Sequence, residues 1–128
     1  MNKILLIDDN STDNYINKLI IEKANITNTI IVQTSPVEAL NYLKNVKGDF
    51  PEFIFLDIKM PEMDGFDFLK AYDEFEDDKK RNIHIIMLTS SHNMSDVEKA
   101  NENPYVKKYL IKPLDALKLN DTLEAVFS

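Results

Sequence analysis

Carboxylates, a hydroxyl and an ammonium group stand at matching places in this sequence of 128 residues, each directly after a short apolar run. Taken alone, an aspartate at such a place is most often a turn or helix cap, and a lysine is most often a solvated surface residue. Chemistry is indicated because four separate runs end in groups of complementary charge, namely Asp8 and Asp9, then Asp57, Thr89 and Lys112.

These five groups suit phosphoryl transfer. Three carboxylates that converge on one point repel one another, and a divalent cation relieves that repulsion. A shell made only of oxygen ligands favours magnesium over zinc. A lysine and a threonine beside the cation would bind the oxygens of a phosphoryl group. The predicted reaction is therefore transfer of a phosphoryl group to a carboxylate, with Mg2+ as the cofactor.

The apolar runs themselves are typical of strands buried on both faces, because they are short, rich in isoleucine and without polar alternation. They span residues 4–7, 29–32, 53–56, 83–88 and 109–111. Five helices are predicted to separate and follow them. The highly charged stretch 73–81 is expected to be a long surface loop or a frayed helix end.

The first two helices have recognisable starts. Ser11 is expected to cap the first helix, and Ser35 and Glu38 form a capping box for the second, with Pro36 at its first position. The apolar stripe of the first helix comprises Ile16, Leu19, Ile20 and Ala24. The stripe of the second comprises Val37, Leu40 and Leu43.

The last three helices are predicted from apolar spacing. The third follows Asp64 and Gly65, the fourth spans about 93–101, and the fifth runs from Pro113 to about Phe127. Their core candidates are Phe68, Tyr72 and Phe75 or Phe66 and Leu69 in the third, Val97 and Ala100 in the fourth, and Ala116, Leu119, Leu123 and Val126 in the fifth.

Alternation of five strands with five helices predicts an α/β fold, with a parallel sheet covered by helices on both faces. The common flavodoxin-like strand order is 2-1-3-4-5, and ligands bind such sheets at the carboxyl ends of the strands. We expect residues 1–128 to form one domain, with the groups named above at this edge.

The composition excludes several classes of function. A net charge of −7 opposes direct binding of nucleic acid or of an anionic membrane, because both require a basic surface. The absence of cysteine excludes disulfides, zinc thiolate sites and thiol catalysis, and it fits the reducing cytoplasm. The apolar run near the N-terminus is far too short for a signal peptide or a membrane span.

Residues 53–65, which read Phe-Ile-Phe-Leu-Asp-Ile-Lys-Met-Pro-Glu-Met-Asp-Gly, resemble the response-regulator receiver family, to which the chemotaxis regulators belong. The resemblance covers the whole chain. Thr89 with the small Ser90 after it matches the switch hydroxyl, and Tyr109 matches the switch aromatic. Lys112 and Pro113 match the phosphate-binding lysine and its proline, a bond that is usually cis in this family.

The resemblance implies roles for the acidic residues. Asp57 is the phosphoacceptor, and it receives the group from a phosphohistidine on a sensor histidine kinase or a histidine phosphotransfer protein. Asp9 and Asp57 bind magnesium directly, the backbone carbonyl of Lys59 supplies a third protein ligand, and Asp8 binds through water. The ammonium group of Lys59 could pair with Asp8 or Asp9 or could face water.

By the same resemblance, the domain catalyses its own phosphorylation and later dephosphorylation and is otherwise not an enzyme. We expect a stand-alone receiver whose output is contact with a downstream protein. The phosphodonor is expected at the start of the first helix, with Asn14, Tyr15 and Lys18. The fourth helix, fifth strand and fifth helix form the output face, with Leu114 and Leu117 as apolar contacts for a target or a homodimer.

Three rival functions are less well supported. A haloacid-dehalogenase-type phosphatase also uses an aspartate nucleophile, a hydroxyl, a lysine and magnesium, but it needs an acid two residues after the nucleophile, where Lys59 stands here. A flavin or nucleotide carrier would need a glycine-rich loop, and the chain has two glycines. A degenerate receiver that serves only for docking is opposed by the intact acids, hydroxyl and lysine.

Overall fold

The computed structural model describes residues 3–27, 29–48 and 50–127 and places five parallel strands in one sheet. The strands are β1 (Lys3–Ile7), β2 (Thr29–Gln33), β3 (Phe53–Leu56), β4 (His84–Thr89) and β5 (Val106–Ile111). The helices are α1 (Ser11–Ala24), α2 (Pro36–Asn45), α3 (Gly65–Asp73), α4 (Asp77–Lys80), α5 (Met94–Glu102) and α6 (Ala116–Phe127). The strand order β2-β1-β3-β4-β5 confirms the predicted flavodoxin-like topology.

The three central strands are buried apart from the first residues of β1 and β4, because both faces of the sheet carry helices. Alternate side chains go to two separate cores. One core joins residues such as Leu5, Ile54 and Ile85 to α2, α3 and α5. The other joins residues such as Ile4 and Phe55 to α1 and α6. At the edge of the sheet, β2 is only partly covered.

The described part of the chain has six helices, where the sequence predicted five. The additional one is α4, a single turn inside the charged stretch that was predicted to be a loop or a frayed helix end. Lys80 holds this turn in place, because its ammonium group donates to the backbone oxygen of Asp73 and to the hydroxyl of Tyr105, each at 2.9 Å. The helices predicted fourth and fifth are therefore α5 and α6.

The predicted apolar stripe of α1 is wrong in part. Ile16 is 41% exposed and Leu19 is also exposed, while the buried positions are Asn14, Asn17 and Ile21. The helix is turned this way because the side-chain amide of Asn14 donates to the backbone oxygen of Asp8 at 2.8 Å. The cap is likewise one residue earlier than predicted, since Asn10 accepts from the backbone N–H of Asp13.

The start of α2 agrees with the sequence in its cap and in Pro36, because Ser35 accepts from the backbone N–H of Glu38. In the described residues, the reciprocal bond to the Glu38 side chain that would complete the predicted capping box is absent. Val37, however, was predicted to face the core and is exposed, and Ala39 is fully buried in its place. The third helix, α3, begins at Gly65. Of its two alternative core stripes, Phe68 and Tyr72 from one and Leu69 from the other are buried, while Phe75 and Phe66 are only partly buried.

The last helix starts at Ala116 and not at Pro113. Its buried side chains are Leu119 and Thr122, whereas Ala116 is exposed although it was predicted to face the core. In the described residues, no helix has the length and hydropathy that would be needed to cross a membrane.

Candidate functional site

Backbone hydrogen bonds between neighbouring strands continue past the strand ends and set the positions of the predicted site residues. The N–H of Asp57 donates to the carbonyl of Ile7 at 3.0 Å, which places Asp57 beside the end of β1. The N–H of Lys112 donates to the carbonyl of Thr89 at 2.8 Å, which joins the ends of β5 and β4 in the same way. Residues far apart in sequence therefore meet at the carboxyl edge of the sheet.

Lys112 is the centre of this cluster. Its ammonium group donates to Asp8 at 2.6 Å, to Asp13 at 2.8 Å and to Asp57 at 3.2 Å. A lysine ammonium has three N–H groups, so these three carboxylates engage all of them. Sequence reasoning missed Asp13 as a member of the site. Its position four residues after Asp9, in the first turn of α1, was the available signal.

The site carries more negative than positive charge. Burial raises the pKa of Asp8, and this effect outweighs the hydrogen bonds from Lys112 and from the backbone of Asn10. Burial by itself would lower the pKa of Lys112, but hydrogen bonds to Asp13 and Asp8 and the charge of Asp57 raise it well above its usual range. Lys112 is therefore held as the cation, and one lysine does not balance the carboxylates around it.

Three of the carboxylates could hold a metal ion. Oxygen atoms of Asp8, Asp9 and Asp57 all lie within 4.8 Å of one another. Asp8 and Asp57 are buried, while Asp9 faces solvent and gives an ion access. Hard oxygen donors with excess negative charge suit Mg2+, so the residues present fit the predicted cofactor.

The side chain of Lys59 is exposed. Among the described residues its ammonium group has no hydrogen-bond or ion-pair partner. The sequence left open whether this group pairs with Asp8 or Asp9 or faces water, and in the structure it faces water. The role of its backbone carbonyl as a metal ligand stays a prediction.

The predicted switch residues Thr89 and Tyr109 share a hydrogen-bond partner, Ser91. The hydroxyl oxygen of Thr89, which is fully buried, accepts from the N–H of Ser91 at 3.3 Å, and the hydroxyl of Tyr109 donates to its carbonyl at 3.0 Å. The hydroxyl of Ser91 donates to Asp96 in α5 at 2.7 Å. The sequence analysis did not predict that Ser91 and Asp96 lie in this hydrogen-bond network, and the only signal was that Ser91 follows Thr89 closely.

Gly65 packs against the backbone that carries Asp57. Its N–H donates to the carbonyl of Ile58 at 2.7 Å. A Cβ atom at Gly65 would lie 2.5 Å from the backbone oxygen of Asp57 and 3.0 Å from the Cα of Ile58, distances that side chains do not tolerate. The start of α3 can approach the site this closely only because residue 65 has no side chain.

The peptide bond between Lys112 and Pro113 is cis, as the family resemblance predicted. The turn that carries Lys112 is held from the other side by Lys118, whose ammonium group donates to the backbone oxygens of Ile111 and Pro113, each at 2.8 Å.

Comparison with known proteins identifies the family, since the model of the response regulator receiver domain matches residues 4–124. This chain is a response regulator receiver domain. It is 32% identical to the chemotaxis protein CheY-3 of Vibrio cholerae over 98% of this chain and 91% of that one. It is 31% identical to a probable methanogenesis regulatory protein, FilR2, of Methanothrix harundinacea over 96% of this chain and 79% of that one.

Solved structures agree with this assignment. A two-component response regulator from Cytophaga hutchinsonii superposes with a TM-score of 0.91 at 29% identity, covering 100% of this chain and 98% of that one. A response regulator receiver protein from Dyadobacter fermentans superposes with a TM-score of 0.89 at 26% identity, covering 99% and 98%. The receiver therefore belongs to two-component signalling, and the phosphatase alternative is not favoured.

The receiver has apolar side chains on both predicted contact surfaces. At the start of α1, Tyr15 and Lys18 are exposed as expected, but Asn14 is buried beneath Asp8 and cannot contact a partner. On the face formed by α5, β5 and α6, Leu117 is 69% exposed. Leu114 was expected there too, but it is 2% exposed and belongs to the core, so that expectation was wrong.

Proposed function

We propose that this receiver accepts a phosphoryl group on Asp57 from a phosphohistidine of a sensor histidine kinase or a histidine phosphotransfer protein. The observation that supports this most directly is the position of the Asp57 carboxylate. It lies at the carboxyl edge of the sheet, 3.2 Å from the ammonium of Lys112 and within 4.8 Å of carboxylate oxygens of Asp8 and Asp9. A carboxylate with a cation on one side and a potential metal site on the other is suited to attack a phosphoryl group.

In the proposed reaction, an oxygen of Asp57 forms a bond to phosphorus while the bond from phosphorus to the imidazole nitrogen breaks and its electron pair returns to the imidazole. One oxygen of Asp57 is held by the N–H of Ile58 at 2.8 Å, and the other is held by Lys112. These two contacts orient the carboxylate before the donor arrives. Lys112 and the hydroxyl of Thr89 then bind the transferred oxygens.

Mg2+ would be held by Asp9 and Asp57 directly, by the carbonyl of Lys59, and by Asp8 through water, and it would neutralise phosphoryl charge. The same residues would support hydrolysis of the acyl phosphate, in which water attacks phosphorus and Asp57 leaves as the carboxylate.

The two contact surfaces would bind different partners. The exposed Tyr15, with Ile16 and Leu19 beside it on α1, would receive the phosphodonor protein. Leu117 and Met94, both exposed, would contact a downstream protein target or a second copy of the chain across α5, β5 and α6. Residues 1–128 would act as one receiver unit in the cytoplasm, and the charge of −7 makes direct contact with nucleic acid or membrane unfavourable.

Incubation with acetyl phosphate and Mg2+, followed by measurement of the intact mass, tests the proposal. We expect one phosphoryl group, stable in acid and labile in base, that is absent without Mg2+ and absent in Asp57→Asn. Label that persists in Asp57→Asn would show that another residue is the acceptor.

A further inference from the structure

Asp13 places a fourth carboxylate at a site whose proposed chemistry needs three. It lies in the first turn of α1, and its oxygen is 2.8 Å from the ammonium of Lys112, closer than the oxygen of Asp57 at 3.2 Å. Asp13 is not in the group of acids whose oxygens lie close enough together to hold a metal ion. Its carboxylate therefore faces the lysine without being required by the cation.

The three N–H groups of Lys112 are all engaged by carboxylates. A phosphoryl oxygen can bind this ammonium only if one carboxylate gives up its hydrogen bond. Besides Asp57 itself, the partners of Lys112 are Asp8 and Asp13. Asp8 is the harder of these two to release, since its side chain is buried and its second oxygen accepts from the N–H of Asn10 at 2.9 Å.

Asp13 is the partner that is released most easily. Its side chain is 34% exposed, and in the described residues its carboxylate makes no hydrogen bond other than the one to Lys112. Once released, it is solvated by water at little cost. We propose that Asp13 is a positioning residue that holds Lys112 in the resting state and competes with the phosphoryl group for it, so that Asp13 limits the rate at which Asp57 is phosphorylated. This inference rests on the proposed function of Asp57.

The test is the rate of phosphorylation by acetyl phosphate with Mg2+ in wild type, Asp13→Asn, Asp13→Glu and Asp121→Asn. Asp121 is exposed on α6 and has no contact with Lys112, so it controls for the loss of one negative charge. We expect Asp13→Asn to be phosphorylated about fivefold faster, a gain typical of removing one partly exposed ion pair. The phosphorylation rate of Asp121→Asn should equal that of wild type. The rate of Asp13→Glu, which retains the charge, should be closer to wild type than the rate of Asp13→Asn.

Two further readouts separate competition from a structural role. The advantage of Asp13→Asn should shrink as ionic strength rises, because salt screens a partly exposed ion pair. In protein labelled with 13C-lysine, the Cε resonance of Lys112 should shift in Asp13→Asn and not in Asp121→Asn, without any phosphodonor present.

Two results would overturn the inference while leaving Asp57 as the acceptor. One is an unshifted Lys112 resonance in Asp13→Asn, and the other is a phosphorylation rate of Asp13→Asn that does not exceed the rate of wild type. If wild type takes up no phosphoryl group, the proposed function is wrong, and the proposed role of Asp13 is wrong as well.

Discussion

The hydroxyl of Tyr109 donates a hydrogen bond of 3.0 Å to the carbonyl of Ser91, the residue whose N–H is bound by the hydroxyl oxygen of Thr89. The two predicted switch residues are thus linked through the backbone of a single residue. Because the hydroxyl of Ser91 also donates to Asp96, a movement of Thr89 would be transmitted to α5 as well as to Tyr109.

We therefore expect Thr89 to leave Ser91 when a phosphoryl group, which adds roughly −1.5 to −2 charges, arrives at Asp57. The ring of Tyr109 should then turn further into the space that Thr89 vacates. Structures with and without beryllofluoride as a phosphoryl mimic would show this, and an identical Tyr109 rotamer in both would remove the proposed coupling. In Tyr109→Phe, which loses one hydrogen bond of about 1 kcal/mol, phosphorylation should persist while the response of α5 weakens.

Asp9 is predicted to dominate magnesium affinity. It is the exposed member of the three carboxylates and the one that, among the described residues, makes no hydrogen bond to Lys112. Asp9→Ala should weaken Mg2+ binding at least about tenfold, because a hard cation loses a direct oxygen ligand. Calorimetric titration measures this, with Asp121→Ala as the control for charge. Equal affinities in Asp9→Ala and wild type would rule out Asp9 as a ligand.

Leu117 and Leu114 provide a matched pair of variants, because both were predicted on the output face and only Leu117 is exposed there. Leu117 is largely exposed, so Leu117→Glu should leave folding and phosphorylation intact and weaken dimerisation or target binding. Leu114 lies in the core, and Leu114→Glu should lower the free energy of unfolding by several kcal/mol, roughly the cost of burying an unpaired charge. Thermal melts and sedimentation of the phosphorylated proteins compare the two. Unfolding of Leu117→Glu would contradict the assignment of this face.

Gly65 is predicted to be essential for the geometry of Asp57. In Gly65→Ala the new Cβ would meet the backbone of Asp57 and Ile58, so we expect a loss of about 3 kcal/mol of stability and slower phosphorylation. Gly48→Ala is the control, because among the described residues no atom outside its chain neighbours lies within 4 Å of its Cβ position, and only its φ of +68° is strained, at a cost of about 1 kcal/mol. Urea unfolding and phosphorylation rates test both, and equal behaviour of the two variants would refute the close approach at residue 65.

Much of the fold and of the candidate site follows from the sequence. Unbroken apolar runs identify the strands, although only the central three are buried on both faces and the edge strands β2 and β5 are partly exposed. Alternation with helices leaves few topologies, of which the observed order is the common one. Since the carboxyl ends of parallel strands share one edge, the residues after each run had to come together. That is why Asp8, Asp57 and Lys112 could be predicted as neighbours although no local pattern links them.

Only the tertiary structure decided which way each helix faces and which polar groups pair. The burial of Asn14 in place of Ile16 depends on a hydrogen bond to the backbone of Asp8, and that contact exists only when α1 is docked on the sheet. The pairing of Asp13 with Lys112 joins residues that are 99 positions apart. Apolar periodicity reports the average hydrophobicity of a helix face, whereas the rotation of a helix is set by specific contacts that form only in the folded chain.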